Sequence, residues 1–337
     1  MNTRILSNFM LSIFILALTL NRPCASAEES LPPALAAFRD YQKRVTADWK
    51  SHQELVQKKW GSASEAAGVK VFVDYTADAN QKLKVDYEKG EIVIESVGAP
   101  GSTEQALKAL DLATQPGASG EPAPLQREDI ELPTLPPVPV RIAPVEGQDG
   151  VVRERVQIRV PLKADHIERR MKRVRPEVQK WAGRYKLPEP LVLAVIRQES
   201  AFNPRARSHI PAYGLMQIVP KYAGAEVASL FKDGARLNTT EALYQPEPNI
   251  LVGTTYLHRL MNFHLARVSD PVSRKYCAIA SYNWGPSRVL RAIQSGRVRL
   301  DLGPERVYQD LRQVAPAETR DYLERVRGYE VQYSPQS

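Results

Sequence analysis

A proline-rich stretch interrupts regular structure near the middle of this chain of 337 residues. Eight of the 30 residues from 116 to 145 are proline. Proline fixes its own φ angle and lacks an amide hydrogen, so it breaks helices and the hydrogen-bond ladder of a sheet. We therefore expect 116–145 to form a loop or a semi-rigid linker. The chain is too long for one typical domain and suits about two.

The residues around that stretch predict a small α+β domain over 28–160. Apolar residues recur at helical intervals from Leu35 to Lys59, and a shorter helix is expected from Ser102 to Thr114. Four strands are expected, at 69–75, 82–87, 91–97 and 152–160. The turn at Glu88-Lys89-Gly90 should join the second and third strands as a hairpin. The fourth strand either completes this domain or leads into the next one.

From Asp165 onward, the apolar pattern is helical almost throughout. We expect a mostly helical domain over 165–330, followed by a short tail over 331–337. The fold class predicted for the whole chain is α+β, in which a small domain of helix and antiparallel sheet precedes a larger helical domain.

The first 27 residues have the order of a secretory signal peptide. Arg4 supplies a positive start, Phe9 to Leu20 is an apolar run too short for a typical membrane span, and Ala25-Ser26-Ala27 offers small residues for cleavage. We expect export to the periplasm. The alternative is lipid attachment at Cys24, but Arg22-Pro23 precedes that cysteine where small residues would be needed.

The formal net charge of +8 favours an anionic partner such as a nucleic acid, an anionic lipid or a wall polymer. No run of Lys and Arg of the kind that forms a nucleic-acid-binding arm is present, so we expect no nucleic-acid partner. Peripheral association with the outer membrane remains open.

Neither the histidines nor the cysteines of the sequence suggest a metal or redox site. The five histidines lack metal-ligand spacing, and no glycine-rich phosphate loop is present, so we expect no metal and no cofactor. Cys277 would be alone after removal of the signal peptide, which excludes an internal disulfide. Its apolar neighbours predict a buried thiol.

A helix that opens at Pro190 and stops at Asn203-Pro204 carries the first candidate for chemistry. Val192, Val195 and Ile196 share one helix face with Glu199. A carboxylate on a buried face loses hydration, which favours its protonated form, and a protonated carboxyl can donate to a leaving oxygen. A Glu neutralised by a neighbouring arginine or by backbone amides is the alternative.

A second segment follows at Gly214-Leu-Met216-Gln217. Glycine permits a tight backbone and the close approach of a ligand, and the glutamine amide can both donate to and accept from a sugar. Met216 and Val219 could line an apolar wall. Alone, such a string is ordinary core sequence.

Together with three further elements, these two segments resemble the signature of the soluble-lytic-transglycosylase family in order and spacing. The elements are Glu199-Ser200, Ser208, Gly214-Leu-Met216-Gln217, Ser281-Tyr282-Asn283-Trp-Gly285 and Glu318-Thr319-Arg-Asp-Tyr322. Segments outside the motifs also resemble a membrane-bound branch of that family, strongly from about 165 to 330 and weakly from about 30 to 160. Trp284 and Val219 depart from the residues usual at their positions.

The resemblance implies a lysozyme-like catalytic domain over 165–330 that cleaves the β-1,4 bond between N-acetylmuramic acid and N-acetylglucosamine in peptidoglycan. It implies that Glu199 first protonates the leaving oxygen and then acts as the base. It also implies a set of substrate-binding residues, which are Ser200, Ser208, Gly214, Met216, Gln217, Tyr282, Asn283 and Glu318. We further expect the hydroxyl of Tyr282 to influence the protonation of Glu199 if it reaches that carboxylate.

The chemistry expected from a single carboxylate is lysis with formation of a 1,6-anhydro ring. Retaining glycosidases need a second carboxylate as nucleophile, and no Asp or Glu follows Glu199 until Glu226. The muramic acid's own 6-hydroxyl can attack instead, with the advantage of proximity over water. Two alternatives stay open, a lysozyme-type hydrolase of the same bond and a non-catalytic peptidoglycan-binding protein. The small N-terminal domain is expected to bind or position glycan or peptide.

Overall fold

The computed structural model describes residues 33–98, 110–111, 113–116, 120, 122–131 and 140–335. The predicted signal peptide, Cys24 and most of the helix expected at 102–114 lie outside these residues. The chain forms two compact units. The first contains the described residues up to His166 together with 205–209 and 239–244, and the second contains the remainder.

The first unit opens with helix α1, Pro33–Trp60, which confirms the helix expected from Leu35 to Lys59. Its last turns are anchored by apolar contact with the sheet that follows. Val56 and Trp60 are buried together with Ala79, Val97 and Val145. The indole nitrogen of Trp60 donates to the carbonyl of Ala79 at 2.8 Å, so the buried ring keeps a partner for its polar atom.

The sheet of the first unit has five antiparallel strands in the order β1-β2-β3-β5-β4. The strands are β1 Val71–Tyr75, β2 Gln81–Asp86, β3 Glu91–Val97, β4 Val140–Glu146 and β5 Val152–Pro161. The β2–β3 hairpin confirms the expected turn, in which Gly90 has a positive φ of 69°. A side chain at that glycine would collide with the ring of His166 at 2.7 Å.

The expectation that 116–145 holds no strand is wrong, because β4 begins at Val140 and pairs with β5. A 3₁₀ turn at Arg127–Asp129 also lies within that range. Strand β4 lies at the edge of the described sheet, where it pairs with β5 on one side. Pro144 is tolerated there because its missing amide hydrogen does not interrupt hydrogen bonding to a strand on the other side. β5 pairs with β3 as well, which places the expected strand at 152–160 within the first unit.

A buried ion pair lies on the α1 side of this sheet. Lys82 on β2 and Glu95 on β3 are 1% and 2% exposed, and they form a salt bridge across the cross-strand pair. The ammonium of Lys82 also donates to Glu65 at 3.0 Å and lies 4.9 Å from the ring centre of Trp60. Two charges so deeply buried are stable only as partners, since either one alone would keep its desolvation cost.

The second unit is helical, as expected for 165–330. Its helices are α2 His166–Tyr185, α3 Glu189–Ser200, α4 Ala225–Ala228, α6 Pro246–Arg259, α7 Pro271–Trp284, α8 Pro286–Gln294, α9 Pro304–Val314 and α10 Ala317–Tyr333. The short helix α5, Thr240–Tyr244, belongs to the first unit. Helix α10 extends to Tyr333, three residues into the expected tail.

Helix α3 is the most deeply buried of these helices along its middle. Every residue from Leu191 to Ile196 is at most 1% exposed, so the helix is apolar on all sides rather than on one face. Helix α10 packs along it. No helix among the described residues is long and apolar enough to cross a membrane.

We predict that Lys82→Ala lowers the free energy of unfolding by about 3 kcal/mol, because it leaves Glu95 buried without its closest cation. Urea unfolding followed by circular dichroism measures this change. The control is Lys89→Ala, at a lysine 77% exposed in the β2–β3 turn, for which we expect a change within about 0.5 kcal/mol. Equal effects of the two substitutions would contradict a structural role for the buried pair.

Candidate functional site

The candidate site is built around the end of helix α3. Pro188 precedes the helix and Pro190 lies in its first turn, a position where the missing amide hydrogen of proline costs nothing. The helix ends at Ser200 because Ala201 and Phe202 both have positive φ, at 51° and 61°. This ending comes earlier than the stop expected at Asn203-Pro204.

Two consecutive non-glycine residues in the left-handed region cost about 1 kcal/mol or more each. Packing holds them there, since Ala201 and Phe202 are 0% and 1% exposed. The ring of Phe202 meets that of Tyr333 edge to face at 6.4 Å, and the amide of Ala201 still donates to the carbonyl of Arg197 at 3.1 Å. The chain therefore turns sharply one residue after Glu199-Ser200, and the turn fixes where the end of the helix lies.

Glu199 is partly exposed at this helix end, and a tyrosine of helix α10 holds its carboxylate. The hydroxyl of Tyr322 donates to Oε1 of Glu199 at 2.7 Å. Burial raises the pKa of Tyr322 well above its ordinary value, and the negative charge of Glu199 raises it further. Tyr322 thus keeps its proton at every physiological pH and remains a donor to the carboxylate.

Tyr282 does not make the contact with Glu199 that its motif suggested. Its hydroxyl donates instead to the carbonyl oxygen of Met216 at 2.9 Å, and its ring meets that of Tyr256 edge to face at 5.7 Å. Burial raises the pKa of Tyr282 well above its ordinary value, with a further contribution from the charge of Glu199. Tyr322, at the end of the last motif, is a residue that does bond the carboxylate.

The Gly214 to Gln217 motif forms the tip of a tight hairpin. Tyr213 and Ile218 close it with two reciprocal backbone hydrogen bonds of 3.0 Å each. Gly214 and Gln217 have positive φ values of 73° and 48°. The carbonyl of Gly214 accepts from both the backbone amide and the side-chain amide of Gln217, at 3.1 and 2.9 Å.

Gln217 leaves one strong acceptor unused. Its side-chain oxygen is buried and has no hydrogen-bond partner among the described residues. An unsatisfied buried acceptor is costly, and an N–H or O–H donor from a ligand would remove that cost. The local geometry therefore supports the sequence-based assignment of Gln217 as a ligand contact, which remains a prediction.

Asn249 of helix α6 binds the backbone of this hairpin. It is fully buried, its side-chain oxygen accepts from the amide of Met216 at 2.8 Å, and its side-chain nitrogen donates to the carbonyl of Tyr213 at 2.8 Å. One side-chain amide thus satisfies a backbone donor and a backbone acceptor of the hairpin. The sequence analysis missed Asn249, because an asparagine in a helical segment carries no signal of the loop that it supports.

Ser200 and Met216 are fully buried rather than open to solvent. The hydroxyl of Ser200 lies 2.8 Å from the carbonyl of Leu215 and 3.1 Å from that of Ile196, which ties the end of α3 to the hairpin. The side chain of Met216 fills the space that glycine leaves at Gly253 of α6. Their direct contact with a substrate stays a prediction, while in this structure both residues position the hairpin.

Asn283 and Glu318 are brought together across helices α7 and α10. The side-chain nitrogen of Asn283 donates to Glu318 at 3.3 Å, and its oxygen accepts from the hydroxyl of Thr319 at 2.6 Å. Glu318 is exposed in the first turn of α10, where the helix dipole favours a negative charge. Thr319, also missed as a site residue, is the link that orients the Asn283 amide.

Three predicted residues complete the inventory. Ser208 is partly exposed in the segment 205–209, which clusters with the first unit. Cys277 is buried, and burial raises the pKa of its thiol to about 12, so it is not a nucleophile near neutral pH. Trp284 is partly exposed at the end of α7.

Within the described ranges, no group of three or more His, Cys, Asp and Glu side chains could hold a metal ion.

Comparison with known proteins places this geometry in context. The Transglycosylase SLT domain family model matches residues 176–300. Membrane-bound lytic murein transglycosylase C of Pectobacterium atrosepticum is 30% identical over 310 residues, which cover 82% of this chain and 87% of that protein. A protein of the same name from Haemophilus influenzae (strain PittEE) is 29% identical over 303 residues, covering 80% and 84%.

Two solved structures show a more limited similarity. The 70 kDa soluble lytic transglycosylase SLT70 of Escherichia coli is 27% identical and covers 47% of this chain, with a TM-score of 0.37. An inactive mutant of the lytic transglycosylase Slt of Pseudomonas aeruginosa is 30% identical over a similar share, with a TM-score of 0.39. The chain spans 23% of each of these solved chains, and TM-scores at this level do not establish a shared overall fold.

We predict that Asn249→Ala loosens the hairpin, because it removes the acceptor of the Met216 amide and one of the two donors to the Tyr213 carbonyl. The expected loss of stability is about 2 kcal/mol, and amide hydrogen exchange at Met216 should accelerate at least tenfold. The control is Asn262→Ala, at an exposed asparagine that bonds only within its own turn to His258. Unchanged exchange at Met216 would contradict the supporting role of Asn249.

Proposed function

The chain belongs to the membrane-bound lytic murein transglycosylase C family, and we propose that it cleaves the glycan strands of peptidoglycan. The proposed bond is the β-1,4 linkage between N-acetylmuramic acid and N-acetylglucosamine. Glu199 is the proposed catalytic residue. The observation that carries the proposal is the 2.7 Å hydrogen bond from Tyr322 to a carboxylate that is partly exposed at the end of a buried helix.

The proposed reaction uses one carboxyl group twice. Protonated Glu199 donates its proton to the glycosidic oxygen as the bond to the anomeric carbon breaks. The resulting carboxylate then takes the proton of the muramic acid 6-hydroxyl, whose oxygen bonds to the anomeric carbon and closes a 1,6-anhydro ring. The hydrogen bond from Tyr322 stabilises the carboxylate between the two steps, because a donor to the charged form favours that form.

Glu226, the next carboxylate along the chain, is occupied elsewhere in the second unit. Partial burial raises the pKa of Glu226, but hydrogen bonds from Arg259 and His264 outweigh that effect and hold the pKa below its ordinary value. The side chain is thereby ionised and bound to Arg259 and His264. This arrangement supports a reaction that depends on Glu199 without Glu226 as a second acid or nucleophile.

The proposed substrate contacts are those of the motifs. Gln217 offers its buried, unpartnered oxygen to a sugar donor, and Asn283 with Glu318 forms a polar cluster on α7 and α10. Ser200, Met216 and Tyr282 hold the hairpin of Gly214 in position. Ser208 remains a proposed contact on the evidence of its motif alone.

The proposed location is the periplasm. The signal-like order of the first 27 residues supports export, and the similarity to membrane-bound relatives supports association with a membrane, for which we propose the outer membrane. The alternative is attachment through a lipid on Cys24. The residues before it, Arg22-Pro23, disfavour this alternative because small residues are needed there.

We predict that the protein releases fragments with 1,6-anhydromuramic ends from purified sacculi and that Glu199→Gln abolishes their release. Mass spectrometry of the soluble products measures both. The control is Glu189→Gln in the first turn of the same helix, where the carboxylate pairs with Arg175, and its release of fragments should match the unmodified protein. Reducing muramic ends would show a lysozyme-type hydrolase instead, and binding without any release would show a non-catalytic protein.

We predict that Tyr322→Phe lowers kcat about ten- to hundredfold, because it removes a charge-assisted hydrogen bond from the catalytic carboxylate. The high-pH limb of the pH–activity profile should move toward higher pH, since the ionised carboxylate loses a donor that favoured it. The control is Tyr329→Phe on the same helix, because the contacts of Tyr329 with Tyr333 and Arg197 are made by its ring and not by its hydroxyl. An unchanged profile for Tyr322→Phe would contradict the assignment.

A further inference from the structure

A basic groove lies on the sheet of the first unit, within residues that no motif singled out. It has a volume of about 460 Å³ and runs along strands β4 and β5. Its lining residues are Arg141, Ile142, Ala143, Arg155, Gln157 and Arg159. The strand register places Arg141 opposite Gln157 and Ala143 opposite Arg155, so the polar side chains share one face of the sheet.

A hydrogen-bonded chain holds part of this groove in place. Arg159 donates through two 2.8 Å contacts to the carboxylate of Glu91 and through Nε to the side-chain oxygen of Gln157 at 3.0 Å. Gln157 in turn donates to Glu95 at 2.8 Å, the same carboxylate that pairs with buried Lys82. The groove wall is thus fixed to the buried pair of Lys82 and Glu95. Because its side chains are already held in place, they lose less conformational entropy when a ligand binds.

The groove also keeps donors that the protein does not use. Arg141 is exposed and makes no hydrogen bond or ion pair with the described residues. The Nε atom of Arg155 is buried and has no hydrogen-bond partner among them, and the nearest carboxylate oxygen to its guanidinium, on Glu95, is 3.7 Å away. A buried N–H without an acceptor is costly, so an incoming acceptor at this position gains a stronger bond than it would on an open surface.

The charge of the groove fits a small anion better than a polyanionic surface. Arg155 and Arg159 lie against the carboxylates of Glu95 and Glu91, whereas Arg141 has no carboxylate partner among the described residues, so one guanidinium of the groove is unpaired. Guanidinium groups match the two oxygens of a carboxylate in a bidentate arrangement. Anionic membranes are bound by clusters of many basic residues with large charge excess, which this groove lacks. Ala143, on the same face of the sheet as Arg141 and Arg155, adds apolar contact suited to a short peptide side chain.

We infer that this groove binds a carboxylate of the acidic peptides that branch from peptidoglycan strands, with Arg141 and Arg155 as the carboxylate donors. The inference rests on the proposed function, because it assigns to the first unit a second contact with the same polymer. Linking a peptide site to a glycan-cleaving unit raises the local concentration of strands that carry free peptides. The protein would then prefer peptide-bearing strands over bare glycan.

Titration calorimetry of the mature chain with the tripeptide L-Ala-γ-D-Glu-meso-diaminopimelate tests this inference. We expect saturable binding that Arg141→Gln weakens about tenfold, the effect of one charge-assisted bond. The matched control is Arg127→Gln, which removes the same charge at an arginine that is 70% exposed and outside the groove, and it should leave affinity within about twofold. The same tripeptide with its carboxylates amidated should not bind.

Parallel titrations with inorganic phosphate and with phosphatidylglycerol vesicles separate the other anions. Binding of either that exceeds binding of the tripeptide overturns the inference, as does tripeptide binding that is indifferent to Arg141→Gln. Glu199→Gln should bind the tripeptide with unchanged affinity. If the unmodified chain releases no fragments from sacculi, the proposed function is wrong. The tripeptide titration still shows, independently of that result, whether the groove binds the peptide.

Discussion

The burial of helix α3 on all sides is the constraint on which the rest of the second unit depends. Residues Leu191 to Ile196 have almost no exposure, so the helix cannot rotate or slide without opening the core. Its last turn therefore delivers Glu199 to one position. The two left-handed residues that follow, Ala201 and Phe202, carry strain that only such packing can hold.

The hairpin at 213–218 shows how a short loop becomes as fixed as a helix. Ser200 bonds the carbonyl of Leu215, Asn249 bonds the amide of Met216, and Tyr282 bonds the carbonyl of the same residue. Three helices thus reach the same loop through side chains that are buried or nearly so. Most of the motif residues serve this purpose, and few of their atoms remain for a ligand. The unpartnered oxygen of Gln217 is one of those that do.

Sequence reasoning was most successful where a periodic pattern decided the structure. Helix α1, the β2–β3 hairpin and the helical second unit follow from apolar spacing and from the turn at Gly90. It failed at β4, where Pro144 and its neighbours hid an edge strand, because edge position is a property of the sheet and not of the segment. The proline-rich composition therefore predicted a loop over 140–145, where the structure has a strand.

Within the candidate site, the motifs identified the right segments but not all of the right partners. Tyr282 and Tyr322 are both motif tyrosines, and only the packing of α7 and α10 decides which hydroxyl reaches Glu199. Asn249 acts through contacts that join distant parts of the chain, so no local pattern marks it. Thr319 lies within a motif, but the motif does not show that its hydroxyl bonds Asn283. The first unit follows the same rule, since the partners of Lys82 come from two separate segments, residues 63–65 and strand β3.

The catalytic role of Glu199 can be tested with a crystal structure of the Glu199→Gln variant and a bound peptidoglycan fragment, since this variant should bind the strand without cleaving it. We expect the glycosidic oxygen to lie about 3 Å from the side chain at position 199, within reach of a proton donor. We also expect that no other carboxylate lies within that distance of the same oxygen. A bound strand whose glycosidic oxygen contacts a different carboxylate would contradict the assignment of Glu199.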